Sequence, residues 1–344
     1  MFPDVLFDWV FLKLEGKPWF AKKRLLKVLD GVVPHTDSSL RSFHSASLLV
    51  RKPGKFDKPF TELSRMIEQH GVVYVKPTEG IFVHNGWGII KLEKTPEGLV
   101  MSSTASRSDE VMNVIIQFPS NSYKIIAGGK LLFPARTKEE RRRQLARLAS
   151  HNLYGNLAIE RGLQIPKIDG KVWEIRTVVQ SPNKEPEVVG PYAKLGSNEL
   201  ASNVSLGGHG LEAVKVISQV YSGMYPHKSP VEIGQLVQEF FTRANKIAVD
   251  ATRAVNDDMK STGKKLVPKF PERELYVRQA AVDITAEINT RTGKLDPFVM
   301  EYQYPDFAYS QFESSDPLGY RRFRHNEEKM VKQGRKTLKQ FFNL

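Results

Sequence analysis

The sequence predicts an α+β protein built on antiparallel and mixed sheets. Its strand-like runs occur in pairs separated by short turns, namely residues 171–180 with 187–195 and residues 275–289 with 297–303. The most clearly marked helix stands between these pairs and does not alternate with single strands, which argues against a βαβ fold. With 344 residues, 40% of them hydrophobic, the chain is long enough for two or three domains.

The first half is marked by one clear helix and one glycine-rich loop. Residues 59–70 predict an amphipathic helix, because Leu63 and Ile67 recur at helical spacing and Gly71 follows as a C-cap. Residues 80–88 lie between two strand-like runs, which is the layout of a hairpin that closes over a phosphate. The other elements predicted here are strands at 3–11, 72–75, 89–92, 111–118 and 123–127, and basic helices at 22–29 and 138–152.

The second half carries the strongest helix signal. Ser229 is the expected N-cap, Pro230 is the first helical position, and Glu232 completes a capping box. The apolar stripe of residues 233–251 is wide enough for a core helix. Residues 320–344 predict a basic surface helix, since they hold eight Lys or Arg against two Glu.

Composition narrows the range of partners. Lys and Arg exceed Asp and Glu by 13, which favours anionic partners such as nucleotides, nucleic acids or anionic surfaces. The absence of cysteine excludes disulfides, thiolate zinc sites and a cysteine nucleophile. No apolar run approaches the roughly 20 residues of a membrane-spanning helix, and the start lacks a secretory signal. We therefore expect a cytoplasmic protein.

Four charged side chains stand within or beside apolar, β-branched runs that lie far apart in the sequence: Lys76, Arg176, Asp283 and Glu301. Because alternate residues of a strand point to one face, a sheet can bring such groups to a shared cleft. Two carboxylates with a lysine and an arginine match the needs of a magnesium-bound polyphosphate. A solvated surface charge is the ordinary alternative for each residue taken alone.

The order of the motifs resembles the ATP-grasp superfamily, specifically the YheC/YheD-type group associated with endospore coats. Five motifs follow the family's order between residues 3 and 305: Val75-Lys76-Pro77, Gly86-Trp87-Gly88-Ile89, Glu174-Ile175-Arg176, Ser202-Asn203 with Gly207-Gly208, and Asp283 followed by Glu301-Tyr302-Gln303. Lys22-Lys23 also resembles the lysine motif of the nucleotide lobe, and residues 159–163 resemble the hinge that grips adenine.

This resemblance implies the ATP-grasp fold, in which two α+β lobes clamp ATP between antiparallel or mixed sheets. It also implies ligation of a carboxylate to an amine through an acyl phosphate, with ATP and Mg²⁺ as cofactors. The site residues that it implies are Lys23, Lys76, Gly86, Gly88, Glu160, Gly162 and Leu163 for the nucleotide, Arg176 and Asn203 for catalysis, and Asp283, Glu301 and Gln303 for magnesium.

Two features depart from the family pattern. Gln303 stands where the family has asparagine, and its additional methylene displaces the amide, so we expect relaxed or lost metal geometry there. The chain also begins near the end of the usual N-terminal lobe, so we expect either that a partner protein completes the substrate pocket or that the protein no longer catalyses ligation. The implied divisions are a lobe remnant at 1–70, a small lobe at 71–160, a large lobe with the metal site at 161–310, and a basic tail at 311–344.

Three functions are compatible with the sequence. The first is a ligase that acts on an unidentified carboxylate and an unidentified amine. The second is a catalytically degenerate ATP-grasp component of a spore coat, which Gln303 and the short N-terminus favour. The third is a nucleic-acid-binding protein, motivated by the net charge of +13 and the basic residues 138–147. Against the third, we find no base-stacking motif and no recognition-helix signature, so we do not expect nucleic acid as a partner.

Overall fold

The computed structural model describes residues 28–34, 38–43, 57–77, 89–103, 123–126, 130–152, 155–197, 202, 207–266, 278–303 and 309–342. The chain divides into two compact units. The seven-stranded unit comprises Thr36–Gln164 and Gly196–Gly208, and the five-stranded unit comprises Met1–His35, Ile165–Leu195 and His209–Leu344. Among the described residues, no helix combines the length and apolar content that crossing a membrane requires.

The seven-stranded unit is an antiparallel sheet with two helices. Its strands follow the spatial order β1-β7-β2-β3-β4-β6-β5. The strands are β1 Ser38–Phe43, β2 Val72–Pro77, β3 Ile90–Lys94, β4 Gly98–Ser103, β5 Lys124–Ile126, β6 Lys130–Pro134 and β7 Gly155–Arg161, and the helices are α1 Asp57–His70 and α2 Lys138–Asn152.

Helix α1 forms as its sequence predicts. Leu63, Met66 and Ile67 are fully buried in one hydrophobic cluster with the inner faces of the strands. The helix ends at Gly71, whose φ of 75° lies in the left-handed region and whose N–H donates to the carbonyl of Ile67 at 2.9 Å. This cap turns the chain directly into β2.

The five-stranded unit is a second antiparallel sheet, with helices on both faces. Its strands follow the order β10-β9-β8-β11-β12. The strands are β8 Trp173–Gln180, β9 Glu187–Leu195, β10 His209–Glu212, β11 Gln279–Ile288 and β12 Leu295–Gln303, and the helices are α3 Ala213–Met224, α4 Pro230–Leu266, α5 Tyr309–Ser315 and α6 Pro317–Phe342.

The two faces of this sheet differ in chemistry. On one face, Ile175 and Val282 belong to a large apolar core with residues of α3 and α4 such as Phe240. On the other face, Tyr192 packs with Phe312 and Phe323 of α5 and α6 in a smaller aromatic cluster. The remainder of this second face carries charged side chains, which form the candidate site described below.

Helix α4 confirms the predicted capping box. Ser229 Oγ accepts the backbone N–H of Glu232 at 3.3 Å, and Glu232 Oε2 accepts the backbone N–H of Ser229 at 2.9 Å. The helix extends beyond the predicted stripe to Leu266, because Val255 and Met259 continue its buried face.

Some of the other predicted elements are confirmed, and some lie outside the described residues. The strands predicted at 72–75, 89–92, 123–127 and 187–195 are present within one or two residues. The predictions at 3–11, 80–88 and 111–118 lie outside the described residues, as does nearly all of the helix predicted at 22–29. The structure adds elements that the sequence reasoning did not assign, namely β1, β4, β6, β7, β10, α3 and α5.

Candidate functional site

The candidate site is a row of side chains that crosses four neighbouring strands of the five-stranded sheet. Tyr192 of β9 pairs with Arg176 of β8, Arg176 pairs with Asp283 of β11, and Asp283 pairs with Glu301 of β12. Directly opposite residues of antiparallel strands project to the same face. The structure therefore brings together Arg176, Asp283 and Glu301, three of the residues that the sequence singled out.

Arg176 and Asp283 form a forked ion pair. Arg176 Nε donates to Asp283 Oδ1 at 2.7 Å, and Arg176 Nη2 donates to Asp283 Oδ2 at 2.7 Å. The side chains are 7% and 1% exposed, so the pair is shielded from solvent. The planar guanidinium matches the two carboxylate oxygens, which fixes both side chains in position.

Lys194 of β9 joins this pair to a second carboxylate. Its Nζ donates to Asp283 Oδ2 at 3.0 Å and forms an ion pair with Glu174 of β8, which lies directly opposite Lys194 in the register. The Lys194 side chain is 4% exposed. We call Glu174, Arg176, Lys194 and Asp283 the ion cluster; it holds two cations and two carboxylates on one sheet face.

Burial and mutual attraction set the pKa values in the ion cluster. Burial acts to raise the pKa of Asp283, but the charges of Arg176 and Lys194 outweigh it and hold the pKa well below its ordinary value. Burial acts to lower the pKa of Lys194, yet Asp283 and Glu174 raise it overall. Burial raises the pKa of Glu174, and the charge of Asp283 adds to that rise while Lys194 opposes it.

Oxygen donors of the type that magnesium takes lie beside the ion cluster. Glu301 is half-buried opposite Asp283, and Gln303, two residues along β12, donates from Nε2 to Glu301 Oε2 at 3.1 Å. Two carboxylates and an amide oxygen on adjacent strands are the oxygen ligands that Mg²⁺ takes when it also keeps water and phosphate ligands. Among the described residues, no group of three or more His, Asp or Glu side chains is placed to hold a metal ion.

A second pair of predicted residues meets in the seven-stranded unit. Lys76 of β2 donates from Nζ to Glu160 Oε2 of β7 at 2.6 Å, with the side chains 16% and 2% exposed. Lys76 also lies 5.9 Å from the ring centroid of Tyr74. Lys76 and Glu160 are diagonal neighbours on one face of the sheet, because Tyr74 pairs with Glu160 and Lys76 pairs with Ala158. Their predicted roles at a nucleotide stay predictions.

The other predicted residues divide between packing positions and undescribed ones. Gly162 donates its N–H to the carbonyl of Val72 at 2.7 Å, and a Cβ there would lie 2.4 Å from Val72 Cγ1, so close packing requires glycine. Leu163, the next residue, is half-buried. The remaining predicted residues, Lys23, Gly86, Gly88 and Asn203, lie outside the described residues.

Sequence reasoning missed Lys194. The residue lies in a strand that was predicted correctly, in the apolar run Pro191-Tyr192-Ala193-Lys194-Leu195. A lysine inside such a run is unusual, because lysine is almost never fully buried unless it is paired. That signal was available, but its partner Glu174 depends on a register that the sequence did not disclose.

The family of the chain is shown by its match to a family model. The model of YheC/D-like ATP-grasp proteins matches residues 56–255, more than half of the 344 residues. The chain therefore belongs to the YheC/D-like ATP-grasp family. The matched region contains Lys76, Arg176 and Lys194 and ends before Asp283 and Glu301. No curated protein matches the chain.

Three solved structures are among those similar to the chain. They are the D-alanine-D-alanine ligase of Coxiella burnetii (12% identity, TM-score 0.39, covering 93% of this chain and 60% of that chain), a D-cycloserine synthetase (11%, 0.43, 92% and 71%) and the biotin carboxylase of Campylobacter jejuni (12%, 0.38, 92% and 45%). The chain thus spans 60% of the length of the Coxiella burnetii ligase.

Proposed function

We propose that this protein is a Mg²⁺- and ATP-dependent ligase that joins a carboxylate to an amine. The observation that supports the proposal most directly is the alignment of Arg176, Asp283 and Glu301 across adjacent strands of a chain that belongs to the ATP-grasp family. Phosphoryl transfer needs little covalent chemistry from the protein; it needs fixed cations, a metal and correct positioning. The row provides fixed groups of both signs on one rigid surface.

Arg176 and Lys194 supply the positive charge in this proposal. Arg176 is fixed by two 2.7 Å bonds from Nε and Nη2 to Asp283, so its remaining Nη1 group would contact the phosphoryl group. Lys194 supplies a compact charge one row along the same face. Together they would neutralise the transferred phosphoryl group as it leaves one oxygen and approaches another.

Asp283, Glu301 and Gln303 would hold the metal in this proposal. When bound, Mg²⁺ supplies charge neutralisation and orientation of the phosphate oxygens. Glu301 is half-buried and opposite Asp283, and in this proposal the two carboxylates would share one ion. The amide nitrogen of Gln303 contacts Glu301 Oε2, so the amide oxygen would have to turn toward the metal to become a ligand.

Nucleotide binding without ligation is the second candidate. Two observations favour it: Gln303 binds Glu301 through its amide nitrogen, and the Asp283 carboxylate already accepts three hydrogen bonds from two cations. Such an arrangement is stable without substrate and would suit a nucleotide-binding component, including one of a spore coat. The two candidates share the site and differ in turnover.

Binding and turnover separate the candidates. Titration with Mg²⁺ and ATP should raise the melting temperature of the wild-type protein, because a ligand that binds the native state stabilises it. ADP release in the presence of a panel of amino acids and dipeptides would then identify a ligase. The absence of any stabilisation by Mg²⁺ and ATP would refute both candidates, while stabilisation without ADP release across the panel would favour the second.

The variant Arg176→Met tests the catalytic assignment. We expect the rate of ADP release to fall by about 10² to 10³-fold, the usual loss when a fixed group that stabilises transferring charge is removed. The matched control is Arg253→Met, because Arg253 is an exposed arginine on α4 with acidic neighbours of its own. Equal rates in the two variants would remove Arg176 from the catalytic machinery.

A further inference from the structure

Two protein cations occupy most of the Asp283 carboxylate in this structure. Its Oδ1 accepts one hydrogen bond from Arg176, and its Oδ2 accepts one from Arg176 and one from Lys194. A carboxylate offers about four lone-pair positions, so these bonds use three of them. A divalent ion that approaches Asp283 therefore meets two bound cations.

Charge balance strengthens this obstacle. The two cations and two carboxylates of the ion cluster cancel one another while largely or fully buried. A buried charge is costly unless it is paired, and like charges at short range repel strongly where solvent screening is weak. A metal bound at Asp283 and Glu301 would add two positive charges next to Arg176 and Lys194, with Glu301 alone to offset them.

Lys194 is the cation of this pair that is easier to displace. It makes one bond to Asp283 at 3.0 Å, whereas Arg176 makes two at 2.7 Å. Lys194 also has a second anion, Glu174, directly opposite it, so it can leave Asp283 without becoming unpaired. Its flexible side chain and compact ammonium group allow such an exchange of partners.

We propose that Lys194 keeps Asp283 closed to divalent metal until nucleotide phosphates draw the ammonium group away. Metal binding and nucleotide binding are then coupled, because each removes an obstacle to the other, and the coupling is reciprocal in free energy. This inference rests on the proposed function, since it assigns the metal to Asp283 and the phosphates to the same sheet face. Lys194 would thereby prevent the site from holding metal in the absence of nucleotide.

Mn²⁺ titrations without nucleotide provide the test, with electron paramagnetic resonance measuring the free ion. We expect Lys194→Met to bind Mn²⁺ at least about tenfold more tightly than the wild type, since a positive charge next to the metal position has been removed. The control Lys215→Met should match the wild type, because Lys215 pairs with Glu212 on an exposed surface. A purely structural role for Lys194 would not produce tighter binding.

The same titration with a saturating non-hydrolysable ATP analogue measures the coupling. We expect the analogue to tighten Mn²⁺ binding to the wild type by about tenfold or more, and to Lys194→Met by much less. If Lys194→Met fails to fold, Lys194→Gln replaces it, because its amide can still contact Glu174 and Asp283.

The outcomes separate the inference from the proposed function. Mn²⁺ binding to Lys194→Met or Lys194→Gln that is no tighter than to the wild type would overturn the inference, and so would wild-type Mn²⁺ affinity that the analogue leaves unchanged. In either case, binding of the analogue to the wild type would leave the proposed function standing. Failure of the wild type to bind the analogue at any metal concentration would refute both.

Discussion

Replacing Asp283 with asparagine tests the ion cluster directly. The substitution keeps the size and shape of the side chain and removes its charge. Asp283 is 1% exposed and accepts three hydrogen bonds from Arg176 and Lys194, at 2.7, 2.7 and 3.0 Å. The variant leaves these two buried cations with Glu174 as their nearest anion, so the cluster carries an excess positive charge.

The expected loss of stability follows from this geometry. Neutralising one partner of a buried ion pair costs about 3–5 kcal/mol, because it leaves an uncompensated charge in the interior. Asparagine retains one carbonyl oxygen that can accept a bond from Arg176, which returns about 1 kcal/mol. We therefore expect the free energy of unfolding of the five-stranded unit to fall by about 3 kcal/mol.

Urea unfolding and hydrogen exchange measure this loss. Unfolding at pH 7 should shift to lower urea, and exchange should speed up in peptides of β8 and β11. The control is Asp250→Asn on α4, since Asp250 also binds two cations, Lys246 and Arg253, but does so on an exposed helix surface. Surface pairs contribute about 0–1 kcal/mol. A loss for Asp283→Asn as small as that of the control would refute the cluster.

The pH dependence gives a second check. The pKa of Asp283 is lowered in the folded state, so its contribution is fully present above the ordinary value of 3.8 and is lost as the pH falls through the folded-state pKa. The part of the difference in unfolding free energy between wild type and Asp283→Asn that comes from the ionised Asp283 should therefore shrink only in strong acid. A difference that vanished already at pH 5 would contradict this assignment.

Three further predictions concern other residues. The bonds from Arg141 lower the pKa of Glu68 to about 2. Because the Glu68 side chain is 19% exposed and partly screened by solvent, Glu68→Gln should lower the free energy of unfolding by about 2 kcal/mol at pH 7. In urea unfolding, the loss should be less than half as large by pH 3. Lys76→Met should weaken ATP binding by about tenfold in calorimetry, because a charge-assisted contact to phosphate is lost. Gly319→Ala should lower stability by about 1–3 kcal/mol in urea unfolding, because the new Cβ would lie 2.9 Å from a backbone oxygen of β9.

Each of these predictions has a control or a contradicting outcome. A pH-independent deficit in Glu68→Gln would mean that its charge is not the source of stability. Lys91→Met is the control for Lys76→Met, because Lys91 is a similarly buried lysine of the same sheet that pairs with a glutamate; equal effects would remove Lys76 from the nucleotide site. Gly223→Ala in α3 is the control for Gly319→Ala, because a Cβ at Gly223 would meet open space, and it should be neutral or stabilising. Similar losses of stability in both glycine variants would contradict the steric argument.

The fold class was predictable because it depends on local patterns. The capping box at Ser229 and the apolar stripe that follows it predicted α4, and alternation with turn residues predicted the strand pairs of the five-stranded sheet. The missed elements carry weak local signals. Strand β10, His209–Glu212, is four residues long and mostly exposed, so neither length nor alternation marks it.

The individual site residues were predictable, but their partners were not. Arg176, Asp283 and Glu301 each stand out as charges in or beside apolar runs. That Asp283 binds Arg176, and that Lys76 binds Glu160, follows from strand order and register across 107 and 84 residues of sequence. Strand order is a long-range property, and no pattern within one strand specifies it.

Two register shifts bring the charged side chains of the site to one face of the sheet. Near the turn, the hairpin of β11 and β12 keeps a constant register, from the pair Ile288–Leu295 to the pair Ile284–Val299. If that register continued, Asp283 would lie opposite Met300. A register shift between Asp283 and Ile284 pairs Asp283 with Glu301 instead.

The hairpin of β8 and β9 behaves in the same way. Its pairing near the turn, Gln180 with Glu187, extrapolates to Glu174 opposite Ala193, and a shift between Val178 and Val179 pairs Glu174 with Lys194. Because side chains alternate between faces, a slip of one residue moves each charge to the opposite side of the sheet. Without the two shifts, Lys194 and Glu301 would project into the apolar core beneath α3 and α4. The two register shifts therefore keep the apolar core free of charge and place the charged side chains on the opposite face. Stability and site geometry depend on the same two shifts, and no pattern within a single strand reveals them.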